Sequence, residues 1–231
     1  MSQKIIETHK MLKKLAETHS GIIVSYSTGK DSMILMDMCA KAFQRVVALH
    51  MYFVDGLDYI ENGLDFAQRR WGCEVIRMPH WAYVDSIRDN RYCNYGGAEA
   101  LNEVRLSDIY KIAMQRTGLR LVATGAKKSD GLWRRRWMKA IRKGAAYDGV
   151  IFPMENWLKL DVLGYCKQHA IVYPELSAAL GGEATGIGVH NGTLLWLHDR
   201  HPGDFEKIRK VFPHIGAVIA RREFYGIGKT H

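Results

Sequence analysis

The sequence predicts an α/β fold: a mostly parallel, twisted sheet with helices on both faces. Three observations carry that expectation. Apolar runs rich in branched residues, at 21–24, 46–53 and 119–125, alternate with longer stretches of helical composition, the pattern of strand–helix–strand crossovers. Polar or glycine-containing segments close all three runs, at 27–32, at Asp55-Gly56 and at Gly125. In a parallel sheet the carboxyl ends of the strands are where ligands collect. No repeat or low-complexity linker interrupts the alternation. A single domain over 1–231 is therefore expected, with a C-terminal helical portion from about 190. The best candidate for an internal boundary is near 150.

The elements follow in order. Residues 5–18 set Ile6, Leu12 and Leu15 among lysines and glutamates, which predicts a surface helix. Gly21-Ile22-Ile23-Val24 reads as a buried strand and 33–40 as the helix behind its turn. Residues 46–53 are apolar and branched enough for a second buried strand. A helix is expected at 59–71, a third strand at 74–78, a longer helix at 99–117 and a fourth strand at 119–125. Residues 150–153 suggest a short strand. Residues 159–169 suggest a helix with Leu160, Leu163 and Cys166 as core candidates. Residues 181–188, with four glycines, are expected to form a flexible or ligand-facing loop. Helices are expected at 193–200 and 204–212, the second after Pro202-Gly203.

Composition narrows the function classes. Hydrophobic residues make up 47% of the 231 residues, ample for a packed core. No apolar run approaches the roughly 18 residues of a membrane span, and the N-terminus is not signal-like. A cytoplasmic protein with no membrane partner is expected. Cys39, Cys73, Cys93 and Cys166 are far apart and form no C-x-x-C, which suits free thiols in a reducing compartment. Lys and Arg number 33 against 24 Asp and Glu, a net charge of +9. That balance favours anionic partners, nucleotides first and nucleic acid as an open second, with solubility charge as the plainer reading. His190, His198, His201 and His214 offer only one i, i+3 pair, so no metal site is expected among them.

The chemistry centres on Ser25-Tyr26-Ser27-Thr28-Gly29-Lys30-Asp31-Ser32. A strand-to-helix turn built from small hydroxyl residues and a glycine points backbone N–H groups and a helix N-terminus at one spot, and that spot favours an anion. Lys30 adds charge, and Ser27, Thr28 and Ser32 add donors. A Walker A loop, G-x-x-x-x-G-K-S/T, is excluded: Val24 stands where its first glycine would, and Asp31 follows Lys30.

Residues 27–32 instead resemble the PP-loop, S-G-G-x-D-S, of ATP pyrophosphatases, which cleave ATP between the α- and β-phosphates. Thr28 in place of a glycine is the single departure. Over most of 20–190 the chain resembles the phosphoadenosine phosphosulfate (PAPS) reductase family, which includes the ATP sulfurylase small subunit. The resemblance implies the Rossmann-like fold of the adenine nucleotide alpha hydrolases. Asp55-Gly56 resembles the D-T-G that closes the family's second strand, where an aspartate could accept a ribose hydroxyl or hold Mg2+, or simply make a turn. Thr124-Gly125-Ala126-Lys127-Lys128-Ser129-Asp130 resembles T-G-x-R-R-x-D/E. Its lysines keep the charge and lose the bidentate fork of arginine. Residues 153–162 resemble P-I/L-x-x-W-x-x-x-D-V, a structural element with Trp157 as core or pocket wall. Tyr173-Pro174-Glu175-Leu176 resembles Y-x-x-L.

Two departures limit the analogy. Sulfonucleotide reductases carry a C-terminal cysteine in E-C-G-I/L-H, and here no cysteine follows Cys166. Where relatives carry an S-I-G-C iron–sulfur segment, this chain has Thr185-Gly186-Ile187-Gly188-Val189-His190. No iron–sulfur cluster and no covalent sulfo-enzyme are expected.

The expected function is ATP chemistry at the α-phosphate. ATP lies with its β- and γ-phosphates in 27–32, the oxygen of a small anionic acceptor attacks the α-phosphorus, and pyrophosphate leaves. Lys30 and Asp31 are the expected catalytic residues, with Mg2+. Ser25, Ser27, Thr28, Gly29, Ser32, Asp55, Gly56, Gly125, Lys127, Lys128, Arg134 and Arg136 complete the expected nucleotide site. Three alternatives stay open: a PAPS- or APS-binding enzyme that uses an external thiol, a nucleic-acid modification enzyme of the thiolation type, and a non-catalytic nucleotide-binding regulatory partner. A homo-oligomer or a partner subunit is also open. The basic stretch 133–143, with Trp133 and Trp137 interleaved, reads either as a solvated helix face or as a lid over the nucleotide, and the resemblance favours the lid.

Overall fold

The computed structural model describes residues 2–143, 148–172, 174–180 and 189–226. Among these residues five strands run β1 Gly21–Ser25, β2 Arg45–Tyr52, β3 Glu74–Pro79, β4 Val122–Ala123 and β5 Val150–Ile151. All pair in parallel in the order β3-β2-β1-β4-β5. The winding reverses beside β1. The crevice between the carboxyl ends of β1 and β4 is therefore a topological switch point, where open α/β sheets bind ligands.

Side-chain alternation explains why β1 and β2 are apolar throughout, since both faces of a parallel sheet are covered. Ile22, Val24, Val46 and Ala48 point to one face. There α1 (Gln3–Ala16), α2 (Lys30–Ala42), α3 (Asp58–Trp71) and α7 (Lys159–Gln168) pack on them. Ile23, Val47, Leu49 and Met51 point to the other face, against Leu106, Ile109, Tyr110 and Ala113 of α5 (Leu106–Thr117). On α6 (Leu132–Lys143), Met138 and Ile141 close on Ala126 and Phe152. A further apolar cluster joins α4 (Tyr83–Arg88) and α8 (Glu175–Ala179) to α9 (Asn191–Arg200), α10 (Pro202–Val211) and α11 (Gly216–Tyr225). Phe53, Val54, Leu57 and Tyr59, just past the end of β2, pack against it. Among the described residues no helix is long and apolar enough to cross a membrane.

Two local expectations are corrected. The helix expected at 99–117 begins only at Leu106, because the Asp108 carboxylate accepts the Arg105 backbone N–H at 3.0 Å and Arg105 is extended, ending the helix there. On α7 the expected core residues Leu160 and Leu163 face outward, 80% and 40% exposed, while Val162, Tyr165 and Cys166 face inward. The Tyr165 hydroxyl sets that rotation by donating to Asp37 Oδ2 at 2.8 Å. Asp37, buried in α2, also accepts from Trp71 Nε1 at 3.0 Å and Lys41 Nζ at 2.5 Å. Burial pushes its carboxyl up, but these donors bring it below its ordinary value. On α1 the inward face is Ile5, Thr8 and Leu12. The Thr8 hydroxyl donates to the Pro153 carbonyl at 3.0 Å and accepts from Trp157 Nε1 at 2.9 Å, so Trp157 is core. The expected loop at 181–188, Tyr173 of the Y-x-x-L segment, 144–147 of the basic region and 227–231 lie outside the described residues.

Candidate functional site

The turn after β1 folds back on the first turn of α2. Ser27 donates through its backbone N–H and its Oγ to Ser32 Oγ, at 3.2 and 3.3 Å, and Ser32 Oγ donates to the Gly29 carbonyl at 2.8 Å. Gly29 caps α2 in an ordinary extended conformation, φ −81° and ψ 160°. A helix leaves its first-turn amides without acceptors of its own, and α2 begins at the carboxyl end of β1, beside the β1/β4 crevice. The unusual backbone belongs to the preceding residue: Thr28 is left-handed, with φ 57°. A glycine suits that position without strain, and a threonine there costs about 1–2 kcal/mol. Gly63 of α3 makes the room, since a Cβ on it would lie 2.8 Å from Thr28 Cγ2 and 2.9 Å from Thr28 Cβ. The Thr28 hydroxyl is buried with no hydrogen bond of good geometry. Burial pushes the neighbouring Tyr59 phenol up to about 12, with the Thr28 hydroxyl pulling the other way.

Across the crevice, Gly125 follows β4. A Cβ there would touch the Asp31 backbone at 3.3 Å, so the glycine lets β4 and α2 close up. Two residues on, Lys127 is buried, with 7% of its side chain exposed. Its Nζ lies 2.6 Å from Asp31 Oδ2 and 3.1 Å from Asp130 Oδ1, and its backbone N–H donates to Asp130 Oδ2 at 2.9 Å. Lys30 Nζ is 3.7 Å from the same Asp31 oxygen. Asp31 Oδ1 is buried with no partner. Lys127 is thus placed to fix Asp31. Lys128 turns to Asn156 Oδ1 at 2.9 Å and Glu155 at 3.5 Å.

That orphan oxygen suits one Mg2+ ligand position, and Mg2+ characteristically takes one or two carboxylates and completes its shell with phosphates and water. With two lysines on its other oxygen, Asp31 draws a divalent cation only together with a polyphosphate. Among the described residues no group of three or more His, Cys, Asp or Glu is gathered as a metal site.

The loop after β2 forms the third side. Gly56 is left-handed, φ 71°, as a tight turn requires. Asp55 is half exposed and 3.4 Å from Arg77, whose guanidinium grips Glu61 at 2.5 Å. The C-terminal helices hold this loop. Asp204, essentially buried, accepts the Asp58 and Tyr59 backbone N–H groups at 2.7 and 2.8 Å, capping α3 from a distance. Lys207 donates to the Gly56 carbonyl at 2.8 Å and to Asp58 Oδ1 at 2.6 Å. The sequence hinted at Asp204 only as the start of a helix after Pro202-Gly203. It carried no signal for Gly63, Arg77 or Lys207. Beneath the loop lies a cavity of about 30 Å³ bordered by His50, Phe53, Leu57, Tyr59 and Thr193. His80 stacks on Phe53 at 4.6 Å, and burial lowers it to about 4, with His50 adding to the effect.

Arg134 and Arg136 lie on α6, which starts just after the Lys127–Asp130 segment. Arg134 lies over the Trp133 and Trp137 rings, 5.6 and 5.0 Å from their centroids, and Arg136 is exposed. All four thiols are buried, and burial raises each, which makes them poor nucleophiles. His198 pairs with Asp199 at 2.8 Å, and the His201 ring lies tilted against Trp196, centroids 4.6 Å apart.

A family model described as the phosphoadenosine phosphosulfate reductase domain matches residues 21–222. No curated protein matches the chain. Among solved structures, phosphoadenylyl-sulfate (PAPS) reductase from Candida auris, in a phosphate complex, is similar at 16% identity and TM-score 0.53, over 81% of this chain and 95% of that one. This likeness is one of fold. The U34-tRNA thiolase NcsA from Methanococcus maripaludis, with its 4Fe-4S cluster, aligns at 15% identity and TM-score 0.49, over 92% and 80%. The NH3-dependent NAD synthetase from Campylobacter jejuni, with nitrate, aligns at 12% and 0.46, over 100% and 99%.

Proposed function

The chain belongs to the phosphoadenosine phosphosulfate reductase domain family, and from that premise we propose that it is a PP-loop enzyme that cleaves ATP between the α- and β-phosphates. The observation that carries this reading is the turn at the switch point, at the N-terminus of α2, held from the next strand by the buried Lys127 ammonium on Asp31. The β- and γ-phosphates take the α2 amides and the Ser27 and Ser32 hydroxyls. An acceptor oxygen forms a bond to the α-phosphorus, the bridge to the β-phosphorus breaks, and its electrons leave on pyrophosphate. Lys30 and the amides stabilise that charge. Mg2+, when bound, supplies further neutralisation of the polyphosphate, and Asp31 is the residue that would hold it. Lys127 keeps Asp31 in place and is a positioning residue.

A second reading, a PAPS- or APS-binding enzyme, has the family match in its favour. With all four thiols buried and raised, such an enzyme takes its thiol from outside. One experiment separates the two. Calorimetry with ATP and with PAPS, alongside pyrophosphate release, is run on the wild type, Lys30→Ala and Lys127→Met. The proposal expects ATP binding that falls tenfold or more in Lys30→Ala, and pyrophosphate release that falls in both variants. PAPS binding without pyrophosphate release from ATP supports the second reading. Unchanged affinity for both nucleotides in Lys30→Ala rejects the loop as the site.

A further inference from the structure

Helix α6 carries more than a solvated cationic helix needs. Its twelve residues include Arg134, Arg135, Arg136, Lys139, Arg142 and Lys143 and no acid. Met138 and Ile141 are buried, and Trp137 meets Phe152 edge-on at 5.7 Å. These three side chains anchor the helix. Trp133 and Leu132 add nothing to that anchor, at 66% and 70% exposed. An indole left in water forgoes the burial that usually stabilises it, roughly 25 cal/mol for each Å² of apolar surface. Trp133 is also ordered by its neighbours: its ring lies parallel to Trp137 within 9°, centroids 6.5 Å apart, with the Arg134 guanidinium over both. The result is an exposed aromatic face backed by a cation. Along the same helix the acid–base pairing is uneven. Arg142 pairs with Glu155, and Arg135 Nε donates to the Lys128 carbonyl at 2.8 Å. Arg136, Lys139 and Lys143 are exposed.

We propose that this surface docks single-stranded nucleic acid, with one base stacked on Trp133 and the backbone phosphates along the exposed cations of α6. Three features select this occupant. The charge is of one sign and lies on a protein of net charge +9, which suits a polyanion. The flat, exposed indole suits an unstacked base, which a duplex does not offer and an acidic peptide does not have. The helix begins directly after the Lys127–Asp130 segment that holds Asp31, so a strand held there lies at the rim of the phosphate crevice. The inference deepens the proposed function by naming the acceptor class. Docking itself is independent of that reading; only transfer to the docked strand rests on it.

The test uses the full chain, a fluorescein-labelled twelve-nucleotide oligothymidylate and an oligouridylate of the same length, with anisotropy followed over a range of salt. Trp133→Ala, an exposed position, is expected to weaken binding about tenfold, the loss of one base stacked on an aromatic ring. Lys139→Ala/Lys143→Ala is expected to lower the slope of log K against log salt by roughly 1.4, about 0.7 for each single-strand phosphate no longer neutralised. ATP affinity, measured separately, is expected to stay unchanged in these variants. Absence of oligonucleotide binding by the wild type at low salt overturns the proposal. So does binding indifferent to Trp133→Ala, or displacement by poly-glutamate as readily as by unlabelled oligonucleotide, which would mark an acidic protein partner. Loss of ATP affinity in these variants with no oligonucleotide binding would make α6 a lid instead. Failure of the ATP reading shows independently, as insensitivity to Lys30→Ala.

Discussion

Gly63→Ala tests how the left-handed turn after β1 is held. In the middle of a helix this change ordinarily gains about 1 kcal/mol. Here the added methyl lands 2.8 Å from Thr28 Cγ2 and 2.9 Å from Thr28 Cβ, well inside the roughly 3.5–4.0 Å at which carbons attract. Thr28 is 4% exposed and cannot swing into solvent. Overpacking of this kind costs about 1–3 kcal/mol, so in the wild type the net change is a loss of about 0–2 kcal/mol. Thr28→Gly removes the obstruction. It also relieves about 1–2 kcal/mol of left-handed strain, set against about 0.5–1 kcal/mol of glycine entropy and a lost buried methyl worth about 0.8 kcal/mol, so that variant is near neutral. In its background Gly63→Ala recovers the full helical gain. The two positions are therefore expected to couple by about 1–3 kcal/mol. Urea unfolding of the wild type, both single variants and the double variant, followed by circular dichroism, measures the coupling. If Gly63→Ala stabilises both backgrounds equally, within about 0.5 kcal/mol, Thr28 is not seated against Gly63 and the account of the turn is wrong.

Two further outcomes concern buried titrating groups. His80 is lowered from 6.5 to about 4, so the unfolded chain takes up its proton first as pH falls. Its contribution is complete above pH 6.5 and is lost between there and about pH 4, at most about 3 kcal/mol in size. His80→Gln, which retains an acceptor for the Ala82 N–H that now reaches Nδ1 at 3.1 Å, should flatten stability over that window; an unchanged slope would contradict the assignment. Asp37→Ala should cost about 2–4 kcal/mol at neutral pH by stranding the Trp71 and Tyr165 donors. Because the Asp37 carboxyl sits below its ordinary value when folded, its contribution is present above the usual carboxylate range and fades as pH falls through the lowered value. The gap between wild type and variant should then close in acid, and a gap that persists there would count against the network.

What the sequence made legible was contiguous. The alternation of apolar runs with helical stretches led to the parallel sheet, and 27–32 could be placed because strand, turn and helix signals adjoin. Gly125 and Gly56 were legible because a glycine at the end of a strand has few other reasons to be there. Destinations of long side chains were not legible. Lys127 matched a motif position, yet whether its ammonium reaches out to a phosphate or in to Asp31 depends on how closely β4 and α2 approach. On α7 the apolar pattern offered Leu160 and Leu163 as readily as Val162, and the choice fell to a tyrosine hydroxyl seeking Asp37. Gly63 carries no sequence signal because its role is set by a side chain 35 residues away: only the closeness of Thr28 gives the missing Cβ a purpose.

The cap on α3 has a consequence for the order in which the protein is made. Asp58 and Tyr59 find their acceptor in Asp204, 146 and 145 residues later. At roughly 5–20 residues per second of synthesis, those amides wait roughly 7–30 s for a carboxylate that does not yet exist, while β1 and β2 already have each other. The sheet can form on a growing chain before the loop after β2 is tied down, so this rim is the last part to mature. On stalled nascent chains that end before Asp204, the 58 and 59 amides should exchange freely while β1 and β2 are protected, and protection of those two amides in such chains would contradict this order.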